Sequence, residues 1–204
     1  MEGLIVCGRY TPDYAPWVFP LRARLDELCV PHDFVKVRNS EDDRQAALTK
    51  PHHIRDAMDR HPAKVIVFLD VDCEIVGAHH DLARLADIEG DVAFYARTGF
   101  HRNGRPAFAP RSRNMVLRPT MKARVFVNEW IAACGQAPPW AVHHDTMTVA
   151  LGRVPELSIT LLGLEFCATE PDNYPLPVIL CERARRDVRK PGRLARIVSR
   201  AMRP

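Results

Sequence analysis

Lys64-Val-Ile-Val-Phe-Leu-Asp-Val-Asp-Cys-Glu74 is the stretch on which the fold turns. Residues 65–69 form an unbroken apolar run of five, the length and composition of a strand buried on both faces, as in a parallel sheet. Carboxylates follow at Asp70 and Asp72. If the backbone stays extended, residues two apart point the same way, and both carboxylates reach one cation or one phosphate. Ligands of open α/β sheets bind beyond the carboxyl ends of the strands, where this pair would lie. The pattern reads as an Asp-x-Asp site for a metal and a diphosphate. Two aspartates after a strand also serve as strand stops and helix caps, and the motif alone leaves both readings open.

The rest of the chain is consistent with a soluble globule. Its 204 residues are 47% hydrophobic and 26% charged, which suits one domain, or one domain with a tail. No apolar run approaches the about 20 residues that span a bilayer. No basic region precedes the apolar run at residues 3–8, which argues against a secretory signal. The six cysteines are scattered without a Cys-x-x-Cys pair, so they read as reduced thiols of a cytoplasmic protein and not as a zinc site or disulfide framework. Residues 181–204 hold eight Arg and one Lys against two acids, net +7, so of the overall +4 the first 180 residues carry −3. The expected division is a domain over residues 1–182 and a basic tail over 183–204.

Strands and helices alternate along the chain. Residues 3–8 read as a first strand. Tyr14, Val18, Leu21, Leu25 and Leu28 follow at helical spacings of 4, 3, 4 and 3, with Pro20 as an expected kink, and residues 33–37 read as a second strand. A helical stretch over 43–60 is interrupted at Pro51 before the Asp-x-Asp strand. Short elements are expected at 82–86 (helix), 91–96 (strand) and 114–117 (strand). Residues 98–113, rich in Gly, Pro and Arg, read as a long irregular loop that either grips an anion or is simply solvated. A helix over 121–135, the rigid connector Ala137-Pro-Pro-Trp140, a helix from Asp145, strands at 157–164 and 178–180, and a basic amphipathic helix over 193–202 complete the reading. The alternation predicts an α/β domain with a mainly parallel central sheet and helices on both faces.

Several features in this order carry a resemblance: Thr11 and Tyr14 after the first strand, Lys50-Pro51 opening a helix, the Asp-x-Asp strand, a strand and helix ending at Trp130, the Pro-Pro-Trp connector, and Asp145 beginning a helix. The chain resembles the small bacterial nucleotide-diphospho-sugar transferases of the GT-A glycosyltransferase type over about residues 3–182. The resemblance implies a single GT-A-like, Rossmann-like domain that uses Mn²⁺ or Mg²⁺ and moves a sugar from a nucleotide-diphospho-sugar donor to an acceptor. A hard cation bridging the diphosphate would stabilise the charge that develops on the leaving group. By the same resemblance Asp72 ligates the metal, and Asp70 contacts the ribose or donor sugar and the metal through water. Thr11 and Tyr14 hold the base and ribose, Lys50 supports the diphosphate, and Asp145 acts on the donor sugar.

The chain departs from the family pattern twice. Thr146 stands where a Gln usually follows the aspartate, and Cys181 stands where a late His often ligates the metal. His143 and His144 are the substitutes at hand for that third ligand. Bland readings stand beside these: Asp145 as a helix N-cap, Lys50 as a surface lysine, and Thr11 and Tyr14 as shapers of the first turn. Trp130 and Trp140 read as core or hinge anchors, and His52, His53, His79 and His80 as exposed residues. Two other functional classes are a haloacid-dehalogenase-like phosphatase, whose Asp-x-Asp strand normally lies near the N-terminus, and a non-catalytic nucleotide-binding module. No specific nucleic acid is expected as a partner. The basic tail predicts at most weak, salt-dependent contact with an anionic membrane.

Overall fold

A computed structural model describes residues 3–38, 43–100, 104, 106–168 and 176–181. The expected basic helix over 193–202 lies outside these residues. In chain order the elements are β1 (Leu4–Tyr10), α1 (Ala15–Glu27), β2 (His32–Lys36), α2 (Asp43–Leu48), α3 (Lys50–Arg60), β3 (Val65–Leu69), β4 (Glu74–Ile75), α4 (His79–Ala83), β5 (Val92–Phe100), β6 (Pro106–Leu117), α5 (Met121–Gly135), α6 (His143–Arg153), β7 (Ile159–Leu161) and β8 (Ile179–Leu180). Six strands form one sheet in the order β2-β1-β3-β6-β5-β7, and β4 pairs with β8 in a small second sheet. The β1–β2, β1–β3 and β5–β7 pairings are parallel; β6 runs antiparallel to both neighbours.

β3 sits inside this sheet, and its apolar run is divided between two cores. Val65, Val67 and Leu69 face the side covered by α1 and α4, while Ile66 and Phe68 face the side covered by α3, α5 and α6. This division is why no alternation is visible in the sequence: both faces of the strand exclude water. α1 buries Val18, Leu21 and Leu25 and runs through Pro20 without ending. α2 and α3 meet at Thr49, and Pro51 sits in the first turn of α3, where its missing N–H costs nothing. Thr120 caps α5 by accepting a hydrogen bond from the Ala123 N–H at 3.1 Å.

The expected loop at 98–113 is a correction. β5 and β6 continue as a hairpin, paired as far as Phe100 opposite Pro106. Residues 97–100 are exposed, so neither face of this arm packs on a core, and the sequence carries no period that would announce a strand.

β1 and β3 pack closely at their carboxyl ends. A methyl group on Gly8 would lie 2.8 Å from the Leu69 carbonyl oxygen and 2.8 Å from the Phe34 ring. Gly8→Ala is therefore expected to destabilise the fold by about 1–3 kcal/mol in urea unfolding. A change below about 0.5 kcal/mol would mean that β1 and β3 can separate freely.

Candidate active site

The carboxyl ends of β1 and β3 are neighbours, and the candidate residues gather there. Asp70 leaves β3 and its N–H donates to the Arg113 carbonyl at 2.9 Å. The chain then turns, with the Cys73 N–H donating to the Asp70 carbonyl at 3.1 Å. Asp70 and Asp72 are thus brought together by a turn, not by a continuing extended strand. Burial first, and then the charge of Asp70, push the Asp72 carboxyl above its ordinary value.

Lys50 is not on the surface. It is 5% exposed, and its Nζ donates to Asp70 Oδ1 at 2.5 Å and to the Ser112 carbonyl at 3.0 Å. The start of α3 thereby aims a fixed cation at the first carboxylate of the motif. Arg9, at the end of β1, donates to Thr49 Oγ1 at 2.9 Å and to the Ala46 carbonyl. Burial lowers the pKa of its guanidinium, and the charge of Asp70 opposes that.

Sequence reasoning missed the bulge in β6. Phe94 pairs with Met115 but Tyr95 pairs with Arg111, so residues 112–114 bulge away from β5. The carbonyl of Ser112 holds Lys50, that of Arg113 holds the Asp70 N–H, and the Asn114 amide turns inward. Asn114 meets a group of buried thiols: Cys73 Sγ donates to its Oδ1 at 3.4 Å, and its Nδ2 donates to Cys181 Sγ at 3.4 Å. The Cys73 and Cys181 sulfurs are 3.6 Å apart. The cysteines, scattered in sequence, therefore partly converge behind the motif. The thiol of Cys181 is buried among these side chains.

α6 supplies the opposite wall. The rings of His143 and His144 are in contact, centroids 4.0 Å apart and tilted by 46°, and the Nδ1 of each is buried without a hydrogen-bond partner among the described residues. Burial and then the charge of Lys50 lower the pKa of His143 to about 2 and of His144 to about 4. Arg113 acts on both rings in the same direction, so both lie within reach of the same positive charges. Asp145 is exposed at the third position of α6, and its Oδ2 accepts the Val142 N–H at 2.9 Å. The expected N-cap role is thus corrected: Val142 is the cap, and Asp145 lies in the first turn and bonds back to it. Thr146, in the position of the family Gln, is buried and points inward: its Oγ1 donates to the His143 carbonyl and accepts from Trp130 Nε1 at 3.1 Å. Trp130 is a core anchor as expected. Trp140 is a correction, since it is 76% exposed on the Pro-Pro connector.

Thr11 is half-buried just before the turn of 3₁₀-helix that follows β1, and Tyr14, in that turn, is 40% exposed. The structure puts them at the same sheet edge as Asp70. His52 and His53 are half-buried in α3 and not exposed, whereas His79 and His80 are exposed. His143 and His144 were named from the sequence as metal ligands and not as a buried ring pair, and the only signal for the missed Arg9 was an Arg directly after the first apolar run.

The histidines make stability depend on pH. His53 is also lowered, to about 4, by burial and then by Arg9. The unfolded chain takes up protons below its ordinary value of about 6.5, whereas the folded rings do so only near 4 or lower, so stability is lost as pH falls through that window. Each ring contributes at most about 1.4 kcal/mol per pH unit, reduced by its partial exposure. Urea unfolding from about pH 7 to 5 should show this loss, and His143→Asn with His144→Asn should flatten it. An unchanged slope in the double variant would contradict the placement of the rings.

The residues fit the cation that the fold implies. Asp70 and Asp72 offer hard oxygens, and a carboxylate held back from ionisation is one that a divalent cation stabilises. Mn²⁺ and Mg²⁺ complete their coordination with water and phosphate oxygens, so two carboxylates suffice. Among the described residues, neither Cys181 nor His143 nor His144 joins a group of three ligand atoms within 4.8 Å of one another; the one such group is Cys7, Asp33 and His61.

No family model and no curated protein matches the sequence. Solved structures do. The chain aligns with a glycosyltransferase involved in glycosylation of the major capsid of the virus PBCV-1, at a TM-score of 0.69 and 10% identity, over 92% of this chain and 98% of that one. It aligns with apo GlyE of Streptococcus pneumoniae TIGR4 at 0.53 and 12% identity, covering 87% of this chain and 54% of that one. It also aligns with the bifunctional glycosyltransferase WbbM at 0.51 and 12% identity, covering 87% and 45%. The chain spans about half the length of the latter two. With a six-stranded, mainly parallel sheet flanked by helices, the chain has the fold of the GT-A glycosyltransferases.

Proposed function

We propose that the protein is a metal-dependent glycosyltransferase that moves a sugar from a nucleotide-diphospho-sugar donor to an acceptor. The observation that carries this reading is the convergence of Asp70, Asp72, Lys50 and Arg9 at the ends of β1 and β3 in a GT-A fold. The working unit is residues 1–182, with the basic residues 183–204 as an appendage. Any membrane contact through that appendage is weak and salt-dependent. Free cysteines throughout suit a reducing, cytoplasmic setting. Among the described residues no helix is long and apolar enough to cross a membrane.

The roles follow from charge. Asp72 and, through water, Asp70 would hold Mn²⁺ or Mg²⁺, which when bound offsets the charge of the leaving diphosphate. Lys50, Arg9 and Arg113 set a positive field for the same phosphates. Thr11 and Tyr14 flank the base and ribose. Asp145 acts on the donor sugar with its other carboxylate oxygen, its Oδ2 being held by Val142. The rings of His143 and His144, whose Nδ1 atoms are buried, pack beside Lys50 without adding charge. In transfer, the bond from the anomeric carbon to the diphosphate oxygen breaks. An acceptor oxygen bonds that carbon, the nucleoside diphosphate leaves with the electron pair, and the acceptor's proton passes to solvent.

The test is donor cleavage. The protein is incubated with UDP-, GDP- and CDP-sugars and Mn²⁺, and release of nucleoside diphosphate is followed, since many transferases slowly pass the sugar to water. Release from one donor class supports the reading. Hydrolysis of phosphate monoesters without release from any sugar nucleotide would favour the phosphatase alternative, and tight nucleotide binding with no turnover the non-catalytic module. Asp145→Asn separates its two roles: the Asn amide oxygen still accepts the Val142 N–H, so stability should hold while release falls at least about 100-fold. Unchanged release would leave Asp145 with that bond only.

A further inference from the structure

A second group of ligating side chains lies away from the carboxylate pair. Cys7 on β1, Asp33 on β2 and His61, the residue after α3, each place a ligand atom within 4.8 Å of the other two. The topology explains the meeting. β1 and β2 pair in parallel with Cys7 opposite Asp33, and α3 crosses β1 to deliver His61 beside them. His61 Nε2 lies 2.9 Å from Asp33 Oδ2. α3 has 11 residues, so about 16 Å of helix separates this end from Lys50 and the phosphate pocket.

The donor set is chemically distinct from the first one. A thiol, an imidazole and a carboxylate form a borderline-soft, mixed S/N/O set, whereas Asp70 and Asp72 offer oxygen alone. We propose that Cys7, Asp33 and His61 form a zinc-class site, with three protein ligands and a fourth position for water. The ion bonds to Cys7 Sγ and the thiol proton leaves to solvent; no electrons are transferred. At His61 the ion takes the place of the hydrogen shared between Nε2 and Asp33, which moves the ring proton to Nδ1. Arg60 Nε donates to Asp33 Oδ2 at 2.8 Å and orients the carboxylate from outside. The carboxyl of Asp33 is already poised to ligate: burial pushes it up, but the hydrogen bonds from His61 and Arg60 outweigh that and hold it low. Burial pushes the Cys7 thiol up to about 12, so binding must be pH-dependent and proton-releasing. The His61 and Asp33 side chains are 25% and 27% exposed, while Cys7 is buried. Occupancy would pin β2, the edge strand of the sheet, to the end of α3.

Cobalt(II) titration of the full chain tests this, because Co²⁺ stands in for Zn²⁺ and gives a thiolate-to-metal charge-transfer band together with intense visible bands when tetrahedral. The expected result is both sets of bands at about one ion per chain, bleached by Zn²⁺. Cys7→Ala should abolish the charge-transfer band, and His61→Gln should weaken binding at least about 10-fold. Asp72→Asn should leave the bands unchanged, so this site and the transferase reading can fail independently. Absence of a charge-transfer band on the folded protein, or a band that survives Cys7→Ala, would overturn the proposal. Either result would leave an Arg60–Asp33–His61 ion network over an ordinary buried cysteine.

Discussion

Asp72→Asn is expected to lower release of nucleoside diphosphate from the donor at least about 100-fold, the usual scale for loss of one charge-stabilising contact at a reacting centre. The same change should not unfold the protein. The Asp72 carboxyl is disfavoured in its ionised form by burial and by Asp70, so a neutral amide relieves repulsion and does not break a pair. Thermal unfolding without ligand should therefore move little or upward while turnover collapses. A parallel loss of stability and activity would mean that Asp72 holds the turn and does not serve the substrate.

Lys50→Met is expected to cost about 2–4 kcal/mol of folding stability. Removing one partner of a buried ion pair typically costs about 3–5 kcal/mol, because the other charge is left unpaired. The figure is lower here because the Asp70 side chain remains 33% exposed. Asp70→Asn in the Lys50→Met background should recover much of the loss, and the double-mutant cycle should show a coupling above about 1 kcal/mol. Lys50→Arg should fail as a substitute, since a planar fork does not fit a seat made for one Nζ between Asp70 Oδ1 and the Ser112 carbonyl. A surface lysine would give a loss below about 0.5 kcal/mol and no coupling.

How much of this was legible in the sequence depended on how local the signal was. The β3 run and the helical stripe of α1 were readable because burial on a sheet or a helix face writes itself into neighbouring residues. The order of motifs was enough to reach the fold. What failed was non-local. The hairpin of β5 and β6 is held by backbone pairing with exposed side chains, which leaves no hydrophobic period. Lys50 looked like a surface residue because nothing near it in sequence reveals that the bulge at 112–114 and Asp70 close over it. Cys73 and Cys181 are 108 positions apart in the chain and 3.6 Å apart in space, which no spacing rule could report. Asp145 was readable as a first-turn aspartate, because that bond and its N–H partner lie within one turn, but its place three residues after the cap was not.

The central claim is that the Asp70–Asp72 turn holds a nucleoside diphosphate through a divalent cation. Its most direct measurement is thermal unfolding with UDP, GDP or CDP, in Mn²⁺ and in EDTA. At a nucleotide concentration about 100 times its dissociation constant, linkage gives about 2.7 kcal/mol, or roughly 5–10 °C for a chain of this size. The account predicts that shift for at least one nucleotide in Mn²⁺, little of it in EDTA, and none of the difference in Asp72→Asn. An equal shift in EDTA, or a Mn²⁺-dependent shift that survives Asp72→Asn, would contradict it.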